Sequence, residues 1–131
     1  MTDLEALSLT IWGEARGEPI EGKIGVAMVM RNRLQHAYLN GKTYVDVCMA
    51  HAQFSAWTEE AAHMQQMLTA YNHPGPVLGL CIEVARGTMI GALADNTSGA
   101  NHYYADTIPA PAWAVGTPLA HLGHHLFFNV A

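Results

Sequence analysis

Little in this chain is charged, and less is basic. Lys and Arg together number 6 against 11 Asp and Glu, and charged residues make up 13% of the 131 residues. With a net charge of -5 and no run of Lys or Arg, the sequence lacks the electrostatic footprint of a nucleic-acid binder. Cysteine is scarce too. Cys48 and Cys81 share no short metal or redox spacing and lie in apolar contexts, which points to buried free thiols rather than a disulfide. No stretch reaches the ~18 consecutive apolar residues of a membrane span. The N-terminus shows neither a basic n-region nor an apolar h-region, so the expectation is synthesis in the cytoplasm without a signal peptide. No internal repeat or linker divides the chain, and one domain over residues 1–131, acting as a monomer, is expected. What is present is apolar: half the residues are hydrophobic, which excludes general disorder and suffices for a core without disulfide or metal staples.

Read along the chain, Thr2-Asp3-Leu4-Glu5 is a capping box that opens a helix to about Arg16. Leu4, Leu7, Ile11 and Ala15 form one apolar stripe, with Glu14 on its flank beside Leu7. Gly17 and Pro19 break this helix and start a second, from Pro19 to about Leu39, whose centre Ile24–Met30 is apolar on all sides. Gly22 and Gly25 in it allow a neighbour to approach closely, and Asn40-Gly41 is a stop signal. Thr43 to Trp57 is irregular, with short extended or turn segments around Val45-Asp46-Val47 and Gln53-Phe54-Ser55. Thr58 caps a third helix to about Tyr71, and Pro76 begins a fourth ending near Leu93. After a polar turn at Asp95–Gly99, Asn101–Ala105 reads as a strand paired with Gly123–Val130, across a proline-rich loop from Asp106 to Pro118. The fold class is α+β, mainly helical, with a small antiparallel element near the C-terminus.

A glutamate beside an apolar stripe loses hydration, which disfavours its charged form and raises its pKa. That suits Glu14 to be a general acid for glycosidic cleavage. The competing reading is a half-exposed helix-end residue paired with Arg16 or Lys23. Glu18 would stack on Glu14 if the helix continued; the break at Gly17–Pro19 makes a cap on the second helix the preferred role. Phe54, Trp57, Tyr103, Tyr104 and Trp113 can supply stacking faces for a glycan, although strand alternation sends Tyr103 and Tyr104 to opposite sides. Gln53, Ser55 and Thr97 can hydrogen-bond acetamido or hydroxyl groups, or serve turns and caps. His102, His121, His124 and His125 raise the alternative of a zinc-dependent amidase. Against it, adjacent His124 and His125 point to opposite strand faces, and no HExxH pair exists. A non-catalytic glycan-binding module is the third class.

The run Ile11-Trp12-Gly13-Glu14-Ala15-Arg16-Gly17-Glu18-Pro19 is followed by Glu21-Gly22-Lys23, Val26-Ala27 and Asn32-Arg33. Further on come Gln53-Phe54-Ser55, Ser98-Gly99-Ala100-Asn101-His102-Tyr103-Tyr104 and Gly123-His124-His125-Leu126-Phe127-Phe128. In this order the segments resemble the spore-cortex-lytic, SleB-like cell wall hydrolase family. The resemblance implies a lysozyme-like fold related to lytic transglycosylases, acting on the glycan strands of peptidoglycan without a cofactor or metal. Glu14 matches the family's catalytic acid. Its implied role is to protonate the oxygen between N-acetylmuramic acid and N-acetylglucosamine, then to deprotonate the muramoyl C6 hydroxyl and close a 1,6-anhydro ring. Were water to take that hydroxyl's place, the same residue would make a muramidase. Gln53, Phe54, Ser55, Thr97, Tyr103, Tyr104 and His125 are the expected substrate contacts, His125 matching the family's C-terminal histidine. Arg16, Glu18 and Asn32 are expected as support. The segment Leu34–Thr43 is longer and more polar than the resemblance leads one to expect, and His102 and His124 stand where other residue types are usual. A short chain without a signal peptide or wall-binding domain suggests a phage or prophage endolysin, released to the wall by a separate permeabilising protein.

Overall fold

The computed structural model describes residues 1–51 and 61–131. In chain order these form α1 (Asp3–Ala15), α2 (Ile20–Gln35), a single 3-10 turn (Tyr38–Asn40), α3 (Tyr44–His51), α4 (Ala61–Asn72), α5 (Pro76–Met89), β1 (His102–Ala105), β2 (Ala120–Leu122) and β3 (His125–Phe128). The domain is thus mainly helical with a small C-terminal antiparallel sheet, as the sequence pattern implies.

Helix α1 starts where the capping box requires: Thr2 Oγ1 accepts from the Glu5 amide at 3.1 Å, and Glu5 Oε1 accepts from the Thr2 amide at 2.8 Å. Its burial is wider than one stripe. Ala6, Leu7, Leu9, Ile11 and Ala15 are all buried, because α2, α3, α4 and α5 pack around it. Helix α1, as much as α2, is therefore the central element. The break between them is stapled by Lys23, which is 4% exposed and donates to the carbonyls of Arg16 (3.2 Å) and Glu18. A cation there satisfies orphaned carbonyls at the negative end of α1.

Two expectations fail between these helices and α4. Helix α2 stops at Gln35, short of Leu39, because Ala37 (φ 49°) and Leu39 (φ 52°) turn left-handed and fold the chain into the 3-10 turn. The region around Val45-Asp46-Val47 is helix α3, not extended. Thr43 Oγ1 accepts from the Asp46 amide at 3.0 Å, Asp46 Oδ2 accepts from the Lys42 amide at 2.9 Å, and Asp3 Oδ1 accepts from the Val45 amide at 3.1 Å. These caps, together with burial of Val47 and Cys48 in the core, outweigh the weak helix preference of the two valines. The proposed Thr58 cap lies outside the described residues. Helix α5 begins with Pro76 in its first turn and ends at Met89 rather than Leu93.

The three strands run in the order β1-β3-β2, both pairings antiparallel, with Tyr103 opposite Phe127 and Leu122 opposite His125. Strand β2 went unread because it is three residues long and directly follows the proline-rich loop. The partner strand begins at His125, since Gly123 and His124 form the tight turn into it. Gly123 has φ 59°, and a Cβ there would meet Pro19 Cδ at 2.9 Å and collide with Glu18 Oε1. On the other side, Gly25 lets β3 lie against α2: a Cβ at Gly25 would stand 2.6 Å from Phe127 Cζ. That contact sets how close the sheet sits to α2. Cys48 and Cys81 are free buried thiols, pushed by burial up to about 12 and about 11.

Candidate active site

The end of α1, the end of α3, the last turn of α2 and strand β1 converge around Glu14. Neither Arg16 nor Lys23 pairs with it. Arg16 instead lies over the Trp12 ring at 4.3 Å, and Lys23 holds backbone carbonyls. Glu14 Oε1 takes its hydrogen bond from His51 Nε2, and the Tyr103 hydroxyl bonds both the Glu14 carboxylate and, at 2.9 Å, His51 Nε2. The Glu14 side chain keeps 20% of its surface exposed, enough to reach a ligand.

The environment corrects the pKa expected of Glu14. Burial does push the carboxyl upward, but the hydrogen bond from His51, with that from the Tyr103 hydroxyl, outweighs it. The net direction is downward, so Glu14 rests as a carboxylate at neutral pH. Its counterpart Tyr103 is driven well above its ordinary value by burial and by the adjacent Glu14 charge. That phenol is therefore a permanent donor at the site.

Behind His51 stands Arg33. It is 7% exposed, donates from Nε to the Asn101 carbonyl at 2.7 Å, and places Nη1 3.3 Å from His51 Nδ1. A guanidinium can only donate. His51 Nδ1 therefore accepts, and Nε2 carries the hydrogen directed at Glu14. Neither His51 nor Arg33 was among the site residues read from the sequence. The available signal was position alone: His51 closes a helix just ahead of Gln53-Phe54-Ser55, and it is invisible while Tyr44–His51 is read as irregular.

Next to this cluster opens a cleft of about 500 Å³, lined by Arg33, Tyr38, His51, His102, Tyr103 and Trp113 together with apolar side chains. Glu14 does not itself line it; His51 and Tyr103, which bond Glu14, do. Trp113 contacts His102 at 4.9 Å between ring centres, and Tyr38 meets His102 edge-on at 5.6 Å. Apolar rings carrying polar edges are suited to a sugar chain.

The other sequence candidates separate clearly. Tyr103 faces Glu14, whereas Tyr104 points to the opposite sheet face and packs on Phe128 and Trp113, both 5.9 Å away. Thr97 is fully buried, its hydroxyl donating to Asp95 Oδ1 at 2.6 Å and accepting from the Ala100 amide at 3.1 Å. It closes a turn and has no freedom to bind substrate, contrary to the expected contact. Asn32 ties α2 to the same turn through Asp95 Oδ2 (3.0 Å) and the Ala100 carbonyl (2.8 Å). Glu18 is not a helix cap either: Pro19 occupies that position without a side-chain bond. Its carboxylate clasps the Gly123-His124 turn, accepting from the His124 amide at 2.5 Å and meeting Nδ1 at 3.1 Å. His125 is 7% exposed, lies 5.0 Å from the Tyr103 ring, and is shifted down by burial. Gln53, Phe54, Ser55 and Trp57 lie outside the described residues.

The four C-terminal histidines are dispersed. His121 meets Asp106 at 3.1 Å, His124 meets Glu18, His125 packs on Tyr103, and His102 sits between Tyr38 and Trp113. Among the described residues no three His, Cys, Asp or Glu side chains converge on one point.

Residues 17–128 match the cell wall hydrolase family. The spore cortex-lytic enzyme of Bacillus subtilis (strain 168) is 30% identical over 129 residues, covering 95% of this chain and 37% of that protein. The spore cortex-lytic enzyme of Halalkalibacterium halodurans is 28% identical over 134 residues, 97% of this chain and 34% of that one. The chain thus spans about a third of the length of the curated relatives it matches. Among solved structures, the catalytic domain of the Bacillus cereus SleB protein aligns with a TM-score of 0.68 at 23% identity, covering 95% of this chain and 88% of that one. The catalytic domain of the germination-specific lytic transglycosylase SleB from Bacillus anthracis gives 0.67 at 23% identity, covering 95% and 92%. This likeness is one of fold. The family match starts just after Glu14.

Proposed function

Because this chain belongs to the cell wall hydrolase family, we propose that it cleaves the β-1,4 bond between N-acetylmuramic acid and N-acetylglucosamine in peptidoglycan as a lytic transglycosylase. The observation that carries this reading is the partly exposed Glu14 carboxylate, hydrogen-bonded by His51 and Tyr103 beside an aromatic cleft. Protonated Glu14 gives its proton to the glycosidic oxygen as the bond to the muramoyl C1 breaks. The carboxylate then takes the proton of the muramoyl C6 hydroxyl as that oxygen bonds to C1. Protons balance and no water is consumed.

One carboxylate serves both steps, since acid and base alternate. A retaining hydrolase would want a second carboxylate about 5 Å away. Glu18, the nearest in sequence, is occupied by the His124 turn, which favours the single-carboxylate route. The resting carboxylate is suited to the base step. For the acid step, a glycan that runs from the cleft over the exposed part of Glu14 removes water and strengthens the burial that already pushes Glu14 upward.

Glu14→Gln is expected to lower release of soluble muropeptides from purified peptidoglycan by about 10²–10⁴-fold while the fold is retained. Unchanged release would remove Glu14 as the acid and leave an amidase, whereas no release even by the unaltered protein would leave a binding module. Mass analysis of the products separates the two glycosidase outcomes: anhydro-muropeptides, lighter by one water, support the transglycosylase, and reducing-end muramic acid supports a muramidase using the same Glu14.

A further inference from the structure

Arg33, His51 and Glu14 form a linear hydrogen-bonded series across three helices. Arg33 Nη1 reaches His51 Nδ1 at 3.3 Å, and the opposite ring nitrogen reaches the Glu14 carboxylate. Arg33 is itself fixed by the Asn101 carbonyl at 2.7 Å and by the Tyr38 ring, 4.9 Å from its guanidinium carbon. The series is nearly sealed: Arg33 is 7% exposed, and 12% of the His51 side chain is exposed.

We propose that His51 is a positioning residue for Glu14, with Arg33 fixing the imidazole tautomer so that Nε2–H always faces the carboxylate. The inference rests on the glycosidase reading of Glu14 given above. It assigns His51 no proton to give: with Nδ1 occupied by Arg33, loss of the Nε2 hydrogen would leave an imidazolate. What His51 does is orient one carboxylate oxygen and stabilise the anion that forms when Glu14 protonates the leaving oxygen. The exposed part of the carboxylate is left to the substrate. A base oriented by a third group follows the same logic as the partners of activated nucleophiles.

Among the described residues, the titratable and charged groups facing Glu14 and His51 are Arg33 on α2, Tyr103 on β1, His102 on β1, itself shifted down by burial, and His125 on β3, with Cys48 on α3 beside Arg33 and Tyr103. Arg33 remains a cation and Tyr103 a neutral phenol through the working range. Cys48 is held as a thiol, and His125 is shifted down by burial. Removing His51 leaves the burial of Glu14 in place while deleting its largest counterweight, so Glu14 must titrate higher.

The test compares the unaltered chain, His51→Leu and His51→Gln. Gln keeps a donor for Glu14 and an acceptor for Arg33; Leu keeps neither. Carboxyl carbon NMR, with Glu14→Gln identifying the resonance, is expected to show the Glu14 midpoint moving up in His51→Leu and returning toward its original place in His51→Gln. On purified peptidoglycan, the basic limb of kcat/KM, which reports the free enzyme's acid, should move up in the Leu variant, with kcat about tenfold lower from lost orientation. Recovery of both by Gln supports positioning. A Glu14 midpoint that is the same in all three folded proteins overturns it. If the midpoint moves as expected but Glu14→Gln remains fully active, the electrostatic coupling stands, the glycosidase reading falls, and the positioning role in catalysis falls with it.

Discussion

Tyr103 and Tyr104 are adjacent in sequence, and one step of strand alternation gives them different tasks. Tyr103 puts its hydroxyl on Glu14 and His51, whereas Tyr104 stacks on Phe128 with its ring nearly parallel, at 21°. Tyr103→Phe should therefore lower peptidoglycan turnover by about tenfold, a hydrogen bond to a charged group being worth about 1.5–3 kcal/mol. Its urea midpoint should shift little, because the ring still packs on His125 and Phe127. Tyr104→Ala should do the reverse, costing stability by about 2 kcal/mol with the per-molecule rate of the folded fraction unchanged. A denaturation curve and a turnover assay on both variants check this pair. The opposite facing of the two tyrosines was legible from the period of a strand. Which of them faces Glu14 was not, because that depends on which side of the sheet α2 covers.

At the scale of elements, the Gly17–Pro19 break is the joint on which the site turns. It ends α1 with Glu14 in its last turn, and Lys23 reaches back from α2 to bind the freed carbonyls. Lys23→Met should destabilise the protein by about 2–3 kcal/mol, measured by urea unfolding, since buried carbonyls lose a charged donor. Gly25→Ala should also destabilise, by about 1–3 kcal/mol of overpacking that exceeds the helix propensity gained, because the new methyl would press into Phe127. By moving β3 it should also reduce turnover, as Tyr103 and His125 ride on the same sheet. Helices α1 and α5 were legible from a capping box and an N-terminal proline, and α4 was expected over most of its span, its Thr58 cap lying outside the described residues. Helix α3 was not, because its caps come partly from Asp3, far off in sequence, and its burial from α1.

At the scale of the molecule, the shifted histidines and carboxylates among the described residues nearly all point the same way with pH. His102 and His125 are pushed below their ordinary value of 6.5, burial being the first cause in each. Their contribution is full above about 6.5 and declines as pH falls through the folded values. Glu14, Glu18 and Asp95 are also lowered: burial raises each, and hydrogen bonds from His51, His124 and Thr97 respectively lead the groups that outweigh it. Their contribution is present above the ordinary carboxylate range and is lost below it. Of these histidines and carboxylates only His124, raised by its bond to Glu18, works in the opposite sense, contributing below about 6.5 and fading as pH rises through its folded value. The urea midpoint should therefore fall on acidification, first gently below neutrality and then steeply through the carboxylate range. A midpoint that rises between pH 6 and pH 3 would contradict this assignment of charges.

What the sequence determined by itself was local and periodic: the capping box, the glycine/proline break, the apolar helix centres, the strand pair, and the placing of Glu14 at a helix end. Its ordered motifs pointed to the cell wall hydrolase family. The tertiary structure decided what surrounds that carboxylate. Burial alone argues for a raised pKa, and a sequence can suggest burial. The hydrogen bonds that reverse the sign come from His51, Tyr103 and the Arg33 behind them, on three separate elements brought together only by packing. Likewise Glu18 and Thr97 have side chains fit for several roles, and the long-range contact with the His124 turn and the close fold of the Asp95–Ala100 turn each selected one.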